Sequence, residues 1–371
     1  MNSKERLNTV LNGQLPDRVP VSTYELAGYN TESFENKDAS YSKLMDHIRK
    51  NSDCIAMWDL KGDPHIFETC YPVQINSQQS REGDAAITKK IVHTPKGQLQ
   101  QTAKVIDNIN TVWQTEHWCK TSEDVDKALS VPYVPIQWDG ADFERIENEV
   151  GDKGIIMASL ADPLCVAAEL MDFGGYTVWA LTETDHFVKT LDILHERIME
   201  NLRRMLDVCV VDLYRICGAE YATPPYLPPR LFEKFVVPYV TDMTELIHSK
   251  GAKVRLHSHG KIARVLDMIT ATGVDAIDPC EGPPDGDIEL SDVKKQIGGT
   301  ICIFGNIQLK LLEGGSADDI ITEVKKCMDA AKAGGKFVIM PTAAPINIPL
   351  SKRTEENYIT FIDAALKYGQ Y

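Results

Sequence analysis

The sequence predicts an α/β fold: a (β/α)8 TIM barrel with an N-terminal helical extension and a small antiparallel β-meander inserted before the main repeats. Three observations predict it. From about residue 150 onward, short and continuously apolar strands alternate with amphipathic helices, the rhythm of a parallel sheet covered on both sides. Five such strands occupy the second half of the chain, and the first half has room for three more. No GxGxxG or GxxxxGK[ST] follows any strand, which counts against the runner-up, an open doubly wound sheet binding a nucleotide.

The elements follow in order. Residues 3–13 read as a short helix ended by Gly13 and Pro16, and residues 40–50 as another. Between 85 and 118, polar and β-branched residues alternate around a Pro95-Lys96-Gly97 turn, which predicts the meander with one wet face. A helix starts behind a Ser-x-x-Asp cap at Ser122. GIIMASL is then a buried strand, followed by helices through 163–206. VVDLYRIC is the next strand, with a Pro-rich loop and a helix from Leu231 to Lys250 behind it. AKVRLHSHG, VDAIDP, TICIFGN and KFVIMPTAA are the remaining strands, separated by helices at KIARVLDMITATG, LSDVKKQIG and SADDIITEVKKCMDAAKAG. TEENYITFIDAALKYG closes the chain as a helix. No repeat, linker or charge block divides residues 1–371, so one barrel domain is expected.

Composition bounds the function. The chain has 371 residues, 43% of them hydrophobic and 25% charged, enough to bury a core. A formal net charge of -15 repels phosphate backbones and anionic lipid, so neither nucleic acid nor membrane is expected as a partner. The opening MNSKERLNTVLNG lacks an apolar core, so no signal peptide is expected. The 9 cysteines form no CxxC pair and mostly sit in apolar runs, as reduced thiols of a cytoplasmic protein do.

Chemistry belongs at the C-terminal ends of barrel strands. Alternation along Arg255-Leu256-His257-Ser258-His259 puts Arg255, His257 and His259 on the inward face, since Val254 and Leu256 must pack on helices. Two imidazoles there can chelate one metal ion; equally, they can be hydrogen-bonded histidines gripping an anion or a carboxylate. The next strand ends Asp278-Pro279-Cys280-Glu281, where Glu281 or Cys280 is placed as a third ligand, or Glu281 as a general base. Cys280 reads better as a small core residue. Glu220, Tyr221, Asp162, Asn306 and Thr342 end other strands or begin their loops. Each alone is more often a cap or loop residue; jointly they make a polar rim. His117 reads as structural, and His47, His186, His195 and His248 carry no partner signal.

These pieces resemble the uroporphyrinogen decarboxylase superfamily along nearly the whole chain. The resemblance is carried by ERLNTVLNGQLPDRVPV, GIIMASLADPLCVAAELMDF, LFEKFVVPYVTDMTELIHSKGAKVRLHSHGKI, GVDAIDPCEGPPDGDIEL and ICIFGNI. It implies a (β/α)8 barrel with one of two chemistries, cofactor-free decarboxylation or corrinoid-linked methyl transfer with zinc. The decarboxylases carry Arg-Gln-Ala-Gly-Arg where this chain has Glu25-Leu26-Ala27-Gly28-Tyr29, so both substrate-holding arginines are replaced. The coenzyme M branch carries His-x-Cys and a late Cys where this chain has His257-Ser258-His259 and Met340-Pro341-Thr342-Ala343-Ala344-Pro345. The resemblance therefore implies a changed metal set, His257, His259 and Glu281, more Lewis-acidic toward oxygen than a thiolate set.

The leading expectation is a methyltransferase moving a methyl group from a methoxylated aromatic to a corrinoid carried by a separate protein. Glu220, Tyr221 and Asn306 are its expected catalytic residues. Tyr24, Glu25, Asp162, Arg255 and Thr342 are expected to bind substrate. A decarboxylase-like lyase on a non-porphyrin acid and a non-catalytic barrel binding a corrinoid protein or tetrapyrrole are the alternatives. A homodimer is left open.

Overall fold

The computed structural model describes residues 1–29 and 33–371. Along the chain the strands are β1 (Cys54–Met57), β2 (Lys61–Gly62), β3 (Ile75–Glu82), β4 (Ala85–Thr94), β5 (Gly97–Ile106), β6 (Trp113–Glu116), β7 (Trp138–Asp139), β8 (Gly154–Ala161), β9 (Leu213–Cys217), β10 (Lys253–Ser258), β11 (Ala276–Pro279), β12 (Cys302–Ile307) and β13 (Phe337–Pro341). β1 and β8 to β13 form one parallel sheet in chain order, β1-β8-β9-β10-β11-β12-β13. The eighth stave is not a regular strand. Residues 19–22 lie between the two edges: Ile339 N donates to Pro20 O, Ser22 N to Ile339 O, and Asp53 N to Val21 O at 2.8 Å. That short segment closes the curled sheet into a barrel.

Alternation then divides the core in two. Ile55, Met157, Leu213, Ala276, Phe304 and Met340 point inward and pack with Leu7, Val10 and Leu11 of the helix Ser3–Leu11, which plugs the N-terminal end. The larger cluster fills the space between the sheet and its helices. The helix at the plug is fixed by charge: Asp53, fully buried, accepts from Arg6 at 2.6 Å, from Arg18 at 2.7 Å and from Val21 N at 2.8 Å.

Several elements differ from the sequence reading. The meander starts earlier, at β3, whose residues are all exposed and so carry no apolar alternation to read. The cap before the helix Ser122–Leu129 is Thr121, which accepts from Asp124 N. The helix expected over 231–250 is two, Pro229–Phe235 and Val237–Ser249, because Pro238 has no N–H to continue the first ladder. Between β10 and β11, only Leu266–Ala271 is helical. Among the described residues, no single helix is long and apolar enough to cross a membrane.

Candidate active site at the barrel mouth

Above the floor made by Phe304 and Met340, the inward positions of β9 to β11 turn polar. Arg215 pairs in register with Arg255, Cys217 with His257, and His257 with Asp278. Adjacent strands stand about 5 Å apart, so these side chains form one layer across three strands. A charged residue inside an otherwise apolar strand is tolerated only where an opposite charge meets it.

Asp278 is the centre of the layer. It is 0% exposed, and its Oδ2 lies 3.0 Å from His257 Nδ1. Its Oδ1 lies 3.0 Å from Arg255 Nε, but the N–H does not point at it, so both atoms lack a hydrogen bond. Burial pushes the Asp278 pKa up, yet the Arg255 charge and the His257 contact outweigh burial and hold it well below the usual carboxylate range. Arg255 is 2% exposed, rests on the Phe304 ring and among the described residues places Nη1 3.9 Å from the Met340 sulfur.

His259 repeats the arrangement one layer higher. Its Nδ1 lies 3.2 Å from Glu281 Oε2, which also accepts from Gly260 N at 3.0 Å. Burial alone would lower the His259 pKa; the Glu281 hydrogen bond and charge, with Asp278 and Glu220 behind, hold it above its ordinary value. The two imidazoles stand edge to face with centroids 4.6 Å apart. Neither Nε2 has a hydrogen-bond partner among the described residues.

The opposite wall comes from the N-terminal segment. Tyr24, at φ 57°, brings its ring 6.3 Å from that of His257. Arg215 donates from Nε to Ser159 Oγ at 3.2 Å, and from Nη1 to Tyr24 Oη at 3.3 Å and to Glu25 Oε1 at 3.1 Å. Beside Glu25 a cavity of about 950 Å³ opens, with Met57, Trp58, Asp59 and Phe34 in its wall.

The structure thus brings together Tyr24, Glu25, Arg255, His257, His259 and Glu281. Glu220 and Tyr221 stand on the rim, in the 3-10 turn Ala219–Ala222: Glu220 accepts from Gly218 N, and the Tyr221 hydroxyl reaches Glu169 at 3.5 Å. Asp162 is instead the N-cap of the helix Pro163–Glu169, accepting from Cys165 N at 2.7 Å. Thr342 accepts from Leu309 N. Asn306 donates to Cys280 O at 2.8 Å and meets the Cys327 thiol, so its amide faces the helical layer rather than the mouth. Glu281, expected as a metal ligand, is engaged as the carboxylate behind His259. His117, read as structural, donates from Nδ1 to the Glu169 carbonyl, 3.0 Å away. The sequence reading gives Asp278 and Arg215 no role, although each is a charge inside a short apolar strand.

The donor set available to a metal ion is the two Nε2 atoms. Metal-bound histidines ordinarily have the other ring nitrogen held by a carboxylate or carbonyl, and both do here. Among the described residues, no group of three His, Cys, Asp or Glu side chains converges on one point.

A model of the uroporphyrinogen decarboxylase (URO-D) family matches residues 103–366. Two curated relatives, the methylcobamide:CoM methyltransferases MtaA of Methanosarcina barkeri and of its strain Fusaro / DSM 804, are each 24% identical over 197 residues, 53% of this chain and 54% of theirs. The match therefore spans about half the length of these relatives. A solved methyltransferase from Methanosarcina mazei superposes with a TM-score of 0.62 at 16% identity, covering 99% of both chains, which is agreement of fold.

Proposed function

The chain belongs to the uroporphyrinogen decarboxylase family, and from that membership we propose that it is a methyltransferase moving a methyl group from a methoxylated aromatic to a corrinoid carried by a partner protein. The observation that carries the reading is the imidazole pair, with Asp278 behind His257, Glu281 behind His259, and both Nε2 atoms left open. In this reading His257 and His259 hold a divalent ion, zinc, and Glu281 orients His259 instead of binding the ion itself. Such an ion supplies Lewis acidity toward an ether oxygen.

The chain's own residues do the rest. Asp278 fixes the His257 tautomer and keeps its ring from turning. Beside Glu25, Met57, Trp58 and Phe34 offer apolar surface for an aromatic ring. Tyr24 presents a hydroxyl beside Arg215. Charge argues against porphyrinogen: Arg215 is matched by Glu25 and Arg255 by Asp278, so the mouth has no surplus of cations for a ring of acetate arms.

Elemental analysis of protein purified without chelator tests this, beside an anaerobic assay for methylation of a cobalt(I) corrinoid by a methoxyphenol. About one zinc per chain is expected in the wild type. The double variant His257→Ala/His259→Ala should lose both zinc and transfer. Cys280→Ser should keep both, since Cys280 is sealed in the core. Full zinc in the double variant, or steady turnover of uroporphyrinogen, would remove the proposal.

A further inference from the structure

Two guanidinium groups face each other's strand inside the barrel, and their counter-charges are unlike. Arg255 is paired with Asp278, which is fully buried and also holds His257, so that carboxylate cannot leave. Arg215 is paired with Glu25 through a single contact at 3.1 Å, and the Glu25 side chain is 43% exposed. Glu25 also lines the 950 Å³ cavity, so its carboxylate touches both that cavity and Arg215. Each arginine further has an Nη2 without a hydrogen-bond partner among the described residues. A guanidinium offers five donors in a fixed fork, and burying them without acceptors is costly. The layer therefore has open donors, one fixed carboxylate and one exchangeable carboxylate.

We propose that Arg215 and Arg255 form a seat for a carboxylate of the substrate, and that Glu25 fills this seat until the substrate's own carboxylate displaces it. The substrate class is then a monocarboxylic acid. Tyr24, whose hydroxyl already touches Arg215, lies against the same seat. Displacement leaves the charge of the layer unchanged, because one carboxylate replaces another, while Glu25 swings into the cavity where water can solvate it. The inference takes the barrel mouth as the substrate site, as the methyltransferase reading does, and is tested without turnover.

The test is calorimetric titration of the full chain at low ionic strength, without corrinoid, using acetate and benzoate and their neutral counterparts acetamide and benzamide. Acetate needs no room for a ring, so a poor fit of the arene does not hide the seat. The carboxylates should bind and the amides should not. Glu25→Gln removes the internal competitor and should tighten carboxylate binding by about 3–10-fold, while Arg215→Gln should weaken it by at least about 10-fold. Arg215→Lys keeps the charge but not the fork and should fall between; it serves if Arg215→Gln does not fold. Amides binding as well as acids, or Glu25→Gln binding no carboxylate more tightly than the wild type, overturns the seat. Carboxylate binding without methyl transfer leaves the seat and removes the methyltransferase; transfer from a neutral methoxyphenol without carboxylate binding does the reverse.

Discussion

Asp278 shows how one carboxylate can set the state of a whole layer. It compensates a buried arginine and orients a histidine at once, so replacing it by an isosteric amide leaves Arg255 without a counter-charge. Breaking a buried pair in this way typically costs about 3–5 kcal/mol. Asp278→Asn should therefore lose about that much in urea unfolding at pH 7. Because the folded-state pKa of Asp278 is depressed, its contribution is fully present above the unfolded carboxylate value, about 3.9, and fades as pH falls further. The gap between wild type and variant should stay constant from pH 7 down to about 4 and narrow below it. A gap that widens on acidification would contradict the assignment of Asp278 as the ionised partner.

At the scale of elements, strand ends are locked to one another by caps. Asp162 leaves β8 and caps the next helix, and Gly218, at φ 139°, leaves β9 directly against it: a Cβ there would stand 1.9 Å from Asp162 Oδ1. Asp162 is fully buried, one oxygen has no hydrogen bond, and burial raises its pKa well above the ordinary carboxylate value. The sign is opposite to that of Asp278. Below the unfolded value of about 3.9 both states are protonated and nothing is lost; above it the unfolded chain ionises freely and the folded one does not. Asp162→Asn keeps the capping oxygen, so it should match the wild type near pH 3–4 and become progressively more stable than it toward pH 8. Melting temperatures across that range check this, and a difference independent of pH would mean that Asp162 is ionised in the fold. Asp162→Ala, losing the cap as well, should cost about 1 kcal/mol.

At the scale of the molecule, closure rests on a segment too short to be a regular strand. Residues 19–22 bridge the two edges with two backbone hydrogen bonds to Ile339 of β13 and one from Asp53, just before β1, and Asp53 ties that joint to Arg18 and, through Arg6, to the helix that plugs the barrel. The joint is thus held by charge where the other staves are held by ladders. Asp53→Asn removes the buried carboxylate that Arg18 and Arg6 share, leaving Arg6 with Asp17 alone, and should destabilise the barrel by about 3–5 kcal/mol, read as a lower urea midpoint with an unchanged slope. A near-neutral effect would show that the ladder contacts alone close the ring.

The barrel was legible in the sequence because it is written locally. Runs such as GIIMASL and KFVIMPTAA are apolar on both faces, and a strand with that pattern has to be covered on both sides wherever it sits. The inward face of Arg255, His257 and His259 followed from alternation alone, which is also local. Residues 19–22 were not legible as a stave, since PVS carries no strand pattern and is paired only because two edges come to meet it. The site divides along the same line. Residue types at strand ends named the histidines and Glu281, but the partners were decided by register between strands far apart in the chain: Asp278 beside His257, Arg215 beside Arg255, and Glu25 brought across to Arg215 from 190 residues away. Asn306 had the right type at the right strand end and still turned to the helical layer, where the Cys280 carbonyl needed a donor. A sequence fixes which groups are present and which face of their own element they occupy. Which charge meets which depends on the packing of the whole chain, because the energy of a buried charge is set by its nearest opposite and not by its neighbours in sequence.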